Sequence, residues 1–302
     1  MKIAFLTYSY ASGGRGTISH VLPLVKEIRK LGVHVDVFSF RIHPRVIGKG
    51  LHAIYCGLKN LTDYDLVHSQ EGSGIFVRRK KIEFIAHVPQ EIDTLAYLYF
   101  KGVIKKAIEN SNHIITPSFY TKRCLIKNVL SVDKPITVIH HGINHDIFKC
   151  DISLRTAVRE KYGLDGFVVL TVGRLTKRKN QGDILKALSQ LSDVTLLLVG
   201  NGPLRNNLLS MAKKLSIKII HFDNVPRELL IGLYNAADVY VHTAINEGFG
   251  FPERVLPPLP PLPDIPLLVP LFLHDLLSFP PCRGIRAELV PAVFQRVLVY
   301  LR

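Results

Sequence analysis

Gly173-Arg-Leu-Thr-Lys-Arg-Lys-Asn180 stands between an apolar run, Phe167 to Val172, and a segment whose apolar side chains recur at helical spacing. The pattern predicts a strand that ends in glycine, turns through four cationic side chains and enters a helix. Backbone N–H groups at a helix N-terminus, together with Arg and Lys charges, bind phosphates. The stretch therefore predicts a phosphate site, with a solvated basic loop as the alternative.

Two further apolar runs end in glycine-marked turns. Asn201-Gly202-Pro203 follows the run at 194–199, and Glu247-Gly248-Phe249-Gly250 follows the run at 238–243. Ligands of open parallel sheets bind beyond the carboxyl ends of the strands. Three such strand ends in succession predict a single ligand site at one edge of a parallel sheet.

Strands and helices alternate along the chain as far as residue 243, which is typical of doubly wound parallel sheets. The stretch His145 to Arg155 interrupts the alternation and is predicted to connect two domains, 1–150 and 151–252. The fold class predicted is therefore α/β, with two Rossmann-like domains facing a cleft, a common place for a ligand. The turn Gly13-Gly14-Arg15-Gly16 lacks the G-x-G-x-x-G spacing, so a dinucleotide cofactor is poorly supported.

The composition changes after Phe251. Eleven of the 18 prolines lie in residues 252–302, including the run Pro257-Pro-Leu-Pro-Pro-Leu-Pro263. Proline removes helix and ladder hydrogen bonds. We therefore predict that 253–302 is an atypical Pro/Leu-rich tail, extended and polyproline-like, which leaves the second sheet incomplete.

The formal net charge of +15 is unevenly distributed. Residues 1–150 contain 21 Lys and Arg against 11 Asp and Glu. Such an excess attracts anionic phospholipid or nucleic acid. The dense clusters, Arg78 to Lys81 and Lys101 to Lys106, lack interleaved aromatic residues, so nucleic acid is the weaker interpretation. A solvated charged face is the alternative for each cluster.

Cysteine spacing and hydropathy bear on the compartment. The four cysteines are scattered, without metal-like or redox spacing, which fits a reducing compartment. Met1-Lys2 leads directly into a short apolar strand, so no signal peptide is predicted. No segment up to Gly250 is long and apolar enough to span a bilayer. These features predict a cytoplasmic protein.

Several motifs in combination resemble the retaining glycosyltransferases of family four (group 1), which have the GT-B fold. The resemblance runs from residue 1 to about residue 252. It implies an acceptor-side domain over 1–150 and a partial nucleotide-sugar-binding domain over 151–252. The motifs are Gly13-Gly14, Gly173-Arg-Leu with Lys179-Asn180, Val199-Gly-Asn-Gly-Pro203, and Ala237-Asp-Val to Glu247-Gly-Phe-Gly250.

The resemblance also implies individual site residues. Arg174 and Lys179 resemble the pair that clamps the donor diphosphate, and Gly14 resembles the position whose N–H approaches the distal phosphate. His87 and Glu247 resemble the catalytic positions that contact the transferred sugar. The remaining donor-binding positions implied are Gly202, Phe249 and Gly250.

The implied reaction moves a sugar from a nucleotide-sugar donor to a sugar or lipid-linked acceptor, with retention of configuration. The leaving diphosphate accepts the acceptor's proton, and no carboxylate pair suited to double displacement is apparent. Fixed cations stabilise the diphosphate, so neither a metal nor a cofactor is expected. No nucleic-acid partner is expected, and an anionic surface on the inner membrane face is a further predicted partner.

The sequence departs from the family pattern near its end. The second glutamate of the family motif should stand at Val255, and Glu253 lies two residues too early, on another helix face. This abrupt loss indicates a reading-frame shift or a truncated gene, with a divergent tail as the alternative. Two other functions stay open: a non-catalytic nucleotide-sugar or anion-binding protein, and a basic membrane-surface module.

Overall fold

The chain forms two compact units, Met1–Gly142 and Ile143–Arg302, each built on a sheet of its own. The structure is a computed structural model. It describes residues 1–8, 18–39, 45–86, 100–128, 133–142, 144, 146–244, 248–249 and 298–301.

The first unit contains a six-stranded sheet in which every neighbouring pair is parallel, in the order β2-β1-β3-β4-β5-β6. This parallel sheet confirms the α/β class predicted for the first unit. The strands are β1 (Lys2–Leu6), β2 (His34–Phe38), β3 (Leu66–Gln70), β4 (Lys81–Phe84), β5 (His113–Thr116) and β6 (Ile136–Val138).

Helices pack on both faces of this sheet, because strand side chains alternate between the faces. Val21 and Val25 pack in one apolar cluster with Phe5, whereas Cys56 packs in another with Leu6. The helices described are α1 (Ile18–Lys30), α2 (Arg45–Gly57), α3 (Lys105–Glu109), which follows a π-helical turn at Phe100–Ile104, and α4 (Phe119–Asn128).

The second unit contains a five-stranded sheet in the order β11-β10-β7-β8-β9, with β7 to β10 parallel. Apolar clusters cover both faces of its central strands, as expected for a doubly wound sheet. Its strands are β7 (Phe167–Val172), β8 (Val194–Val199), β9 (Lys218–Phe222), β10 (Val239–His242) and β11 (Leu298–Leu301). Its helices are α5 (Ile152–Tyr162), α6 (Gln181–Leu188), α7 (Arg205–Lys214) and α8 (Arg227–Ala236).

The predicted connection at 145–155 is wrong at its C-terminal end, where α5 begins. Asp151 caps this helix by accepting a 2.9 Å hydrogen bond from the Leu154 N–H. Arg155 then donates to the last carbonyls of α8, including that of Ala237 at 2.8 Å, and pairs with Asp238. A cation at a helix C-terminus complements its dipole, so α5 is locked onto α8.

The final residues of the tail add one strand to the second sheet, which the sequence did not predict. Leu298–Leu301 pairs antiparallel with β10, and Tyr300 lies opposite Tyr240. This run of Leu-Val-Tyr-Leu contains no proline, and its Val and Tyr are residue types that favour β-strands. Among the helices that the structure describes, none has the length and apolar character needed to cross a membrane.

Candidate functional site

The carboxyl edge of the second sheet gathers the turns that the sequence singles out. The strands β10, β7 and β8 are neighbours and run parallel. Residues 173–180 follow β7, residues 200–204 follow β8, and residues 243–244 follow β10. The turns after these three strands therefore lie along one edge.

Lys179 is the buried cation of this edge. It ends a single 3-10 turn, Lys177–Lys179, after which Asn180 takes a left-handed conformation with a φ of 53°. The Lys179 side chain is 8% exposed, and its Nζ lies 3.4 Å from His242 Nε2. Lys179 therefore presents its charge from a fixed point.

His242, the last residue of β10, holds Lys179 through a hydrogen-bonded chain. Because an ammonium only donates, His242 Nε2 must accept, which leaves the ring proton on Nδ1. This nitrogen lies 3.3 Å from Tyr240 Oη, and the tyrosine hydroxyl lies 3.4 Å from the Val172 carbonyl oxygen. The three contacts give each nitrogen and oxygen of the chain a consistent donor or acceptor role, and they link the ends of two neighbouring strands.

Two further side chains fix the turn after β7. Thr243 Oγ1 donates to the Asn180 carbonyl at 2.9 Å, which fastens the turn to β10. Gln181 Nε2 donates to the Arg174 carbonyl at 3.2 Å. The other amide atom of Gln181, Oε1, is buried without a hydrogen-bond partner in the described structure. An unused buried acceptor of this kind calls for a ligand, a water or a rearrangement.

Arg174 is the exposed cation of the same turn. Its side chain is exposed, and within the described ranges its guanidinium makes no ion pair or hydrogen bond. Arg155 and Arg159, in contrast, are both tied to Asp238. The edge therefore combines a fixed cation, Lys179, with an available one, Arg174, an arrangement suited to a polyanion such as a diphosphate.

Gly202 has a packing role in this edge. A Cβ on Gly202 would overlap the Leu175 carbonyl oxygen, so the turns after β7 and β8 approach too closely for any other residue. The Leu175 N–H donates to the Asn201 carbonyl at 3.0 Å across the same contact. The Gly202 N–H donates to Asn201 Oδ1 at 2.6 Å, so it is already used inside the turn.

The other predicted site residues are described less fully. Phe249 is half-buried and follows a buried Gly248. Gly14, His87, Glu247 and Gly250 lie outside the described residues.

Sequence patterns did not point to His242, Tyr240 or Thr243 as site residues. A lone histidine in an apolar strand is ordinarily part of the core, so His242 drew no attention. The available signal was the alternation Val-Tyr-Val-His, which places Tyr240 and His242 on one face of the strand. The described residues contain no cluster of three or more His, Cys, Asp or Glu that could hold a metal ion.

Residues 155–252 match the sequence model of the family described as glycosyl transferases group 1. The match includes Arg174, Lys179 and His242. The resemblance to group 1 glycosyltransferases is confirmed.

Curated glycosyltransferases match part of the chain. A GDP-mannose-dependent alpha-(1-6)-phosphatidylinositol monomannoside mannosyltransferase of Mycolicibacterium smegmatis is 30% identical over 155 residues, which are 48% of this chain and 40% of that protein. The O-antigen chain mannosyltransferase RfbU of Salmonella typhimurium is 26% identical over 159 residues, 51% of this chain and 42% of that protein. The chain thus spans less than half the length of these relatives.

Solved structures show the same GT-B fold. Sucrose-phosphate synthase from Thermosynechococcus elongatus matches with a TM-score of 0.68 and 19% identity, over 84% of this chain and 78% of that one. The glycosyltransferase WaaG matches with a TM-score of 0.63 and 17% identity, over 82% and 76%. HepE of Anabaena, solved with UDP and glucose, matches with a TM-score of 0.61 and 18% identity, over 83% and 76%.

Proposed function

We propose that the chain is a retaining glycosyltransferase that moves a sugar from a nucleotide-sugar donor to a sugar or lipid-linked acceptor. The observation that carries the proposal is the pair Arg174 and Lys179, placed at one turn of the region that matches the family. The leaving group of such a reaction is a nucleoside diphosphate. Preorganised cations aimed at its developing charge lower the barrier.

Lys179 and Arg174 have different roles in the proposed site. Lys179 is buried and held by His242, so it acts as a preorganised point charge that costs little reorganisation. Arg174 is exposed and offers a planar fork that binds phosphate oxygens in bidentate fashion. Together they supply the positive charge for which other transferases use a metal ion, so we propose that no metal takes part.

The proposed step balances without a protein base. The bond between the anomeric carbon and the diphosphate oxygen breaks, and the acceptor oxygen forms a bond to the same carbon from the same face. The acceptor's proton passes to the departing diphosphate. We propose that His87 and Glu247 contact the transferred sugar, and that Gly14, Gly202, Phe249 and Gly250 contribute to donor binding.

Turnover of a donor panel tests the proposal against a non-catalytic binding protein. The panel should contain GDP-mannose and UDP-glucose, because one relative is named for the first and one similar structure contains UDP and glucose. Release of nucleoside diphosphate from a donor supports an enzyme. Tight donor binding with no release, with or without lipid-linked acceptors, favours the binding protein.

We further propose that the first unit works at an anionic membrane surface, on the cytoplasmic face of the inner membrane. Residues 1–150 carry ten more basic than acidic residues, and each basic residue near such a surface contributes about 1 kcal/mol. Lys81 is not one of them, because it is fully buried. Cosedimentation at low salt tests the proposal: equal binding to neutral and anionic vesicles contradicts it.

A further inference from the structure

A cavity of about 1020 Å³ opens at the amino edge of the first sheet. Three segments line it: residues 57–62, residues 75–80 and residues 110–112, which precede β3, β4 and β5 respectively. Because the strands are parallel, all three segments lie at the edge where the strands begin. The cavity is therefore separate from the carboxyl edge, where the loops that follow the strands lie.

The lining of the cavity is strongly basic. Lys59, Arg78, Arg79 and Lys80 contribute to it, and none of its described lining residues is acidic. All four side chains are exposed, and none forms an ion pair within the described parts of the chain. Four positive charges along one cavity, with no acidic residue among its described lining residues, favour a negatively charged occupant.

The wall that carries these cations is rigidly supported. The buried Lys81 ammonium donates to the Gly74 carbonyl at 2.5 Å and to the Val77 carbonyl at 3.2 Å. Burial lowers the pKa of Lys81, and the nearby Glu83 carboxyl opposes that shift. The turn before β4 is thus held in place by the buried Lys81. From its place in the sequence, next to Arg78, Arg79 and Lys80, Lys81 was expected to lie at the surface.

Hydrogen bonds and close packing join the loops around the cavity. Arg79 donates to the Tyr64 carbonyl at 3.0 Å, and Asn110 Nδ2 donates to the Ile75 carbonyl at 3.3 Å. Gly57 packs so closely on Phe76 that a Cβ would lie 2.7 Å from that of the phenylalanine. Segments from three loops are therefore held together before any ligand arrives, which is how preorganised binding sites gain affinity.

We propose that this cavity binds a phosphate-bearing anion, at a site distinct from the proposed donor site. Guanidinium forks and ammonium groups match phosphate oxygens. The Phe76 side chain, 57% exposed beside the basic lining, offers an apolar contact to the organic part of the ligand. The anion is either the headgroup of an acidic phospholipid or a soluble phosphate ester, which share this chemistry.

The test uses the double variant Arg78→Gln, Lys80→Gln in the full chain. Its matched control is Arg123→Gln, Lys127→Gln, which removes the same charge from exposed positions of α4. One arm measures binding to phosphatidylglycerol vesicles, and the other measures glycerol phosphate by calorimetry. Both arms use an Arg174→Ala background, so that the proposed donor site contributes little.

The cavity variant should weaken binding roughly tenfold in one arm or both, the effect of losing about 1.4 kcal/mol, while the control changes it less than twofold. A loss in the vesicle arm identifies a lipid headgroup, and a loss confined to the glycerol phosphate arm identifies a soluble ester. The charge-preserving variant Arg78→Lys, Lys80→Arg should retain binding. The proposal is overturned if both arms are unchanged or if the control loses as much, and neither result affects the donor-site proposal.

Discussion

At the scale of single residues, the two cations of the turn after β7 should contribute separately to diphosphate binding. We expect Arg174→Ala and Lys179→Ala each to weaken nucleoside-diphosphate binding by roughly 1.5–3 kcal/mol, the range for hydrogen bonds to charged groups. The control is Lys177→Ala, because Lys177 is exposed on the same turn and should cost little. Calorimetry that shows equal affinity in all three variants would contradict the assignment.

His242 should promote diphosphate binding by holding Lys179 in place and not by contributing a charge of its own. Replacing it with Leu removes the acceptor 3.4 Å from the ammonium, so His242→Leu should weaken diphosphate binding by about 1 kcal/mol. Gln places an oxygen close to the position of Nε2, and His242→Gln should therefore bind nearly as well as the parent chain. Equal losses in both variants, measured by calorimetry at constant thermal stability, would assign His242 a packing role only.

Residue types and spacing predicted some of this site and not the rest. Arg174 and Lys179 stood out because cations followed a glycine that ended an apolar run. The difference in burial between Arg174 and Lys179 could not be predicted, because it depends on which residues of β10 lie opposite the turn. Lys81 was grouped with its exposed neighbours Arg78 to Lys80 for the same reason. A lysine that donates to the Gly74 and Val77 carbonyls looks the same in sequence as an exposed lysine.

At the scale of elements, the contact between the turns after β7 and β8 should tolerate no side chain. We expect Gly202→Ala to lower the free energy of unfolding by about 2 kcal/mol, because its Cβ would meet the Leu175 carbonyl. The matched control is Gly182→Ala in α6, where nothing lies within 4 Å of an added Cβ. That control should gain about 0.5–1 kcal/mol from helix propensity. Thermal unfolding in which Gly202→Ala equals the parent chain would contradict the close approach.

Buried Glu83, which accepts a hydrogen bond from the Gly72 N–H in the turn between β3 and β4, should make the free energy of unfolding depend on pH. Burial raises the pKa of Glu83 from 4.5 to about 7, although the Gly72 N–H hydrogen bond opposes the shift. The folded state therefore holds this proton more tightly than the unfolded state does. Its contribution to the free energy of unfolding falls as the pH rises from about 4.5 to about 7.

We expect Glu83→Gln to remove that fall, so that the free energy of unfolding of the variant rises relative to that of the parent chain by about 2–3 kcal/mol between pH 5 and pH 8. The control is Glu27→Gln, an exposed carboxylate paired with Lys30, which should shift stability by well under 1 kcal/mol at every pH. Denaturant titrations at several pH values provide the measurement. Parallel pH profiles for the parent chain and Glu83→Gln would show that Glu83 does not titrate in this range.

Most elements could be predicted because their apolar patterns are regular, and the exceptions have physical causes. The helix Arg45–Gly57 was missed because Gly48 and Gly50 interrupt it, and glycine is a poor helix former. The start of α5 was hidden because its cap, Asp151, sits in a stretch without clear periodicity, while its contacts to α8 are distant in sequence. The strand β11 was overlooked because the prolines before it dominated the composition.

At the scale of the whole molecule, two sheets of alternating strands and helices follow directly from the repeat of apolar runs. The observed order β2-β1-β3-β4-β5-β6 and the parallel core of the second sheet match this expectation. The order of strands within each sheet does not follow from periodicity alone, since it depends on packing between segments far apart in the chain. The match of residues 155–252 to group 1 glycosyltransferases covers the region where the two cations lie.

The central claim is that a cation pair, and no metal, supports departure of a nucleoside diphosphate. It is tested most directly by the initial rate of nucleoside-diphosphate release from the best donor of the panel, in the presence of a chelator. The chain and its Arg174→Ala, Lys179→Ala double variant are compared at equal folded concentration. We expect release that is insensitive to the chelator and at least roughly a hundredfold slower in the double variant, because two charge-assisted contacts of about 1.5–3 kcal/mol each are lost. Equal rates in the two proteins, or a rate abolished by the chelator, would contradict it.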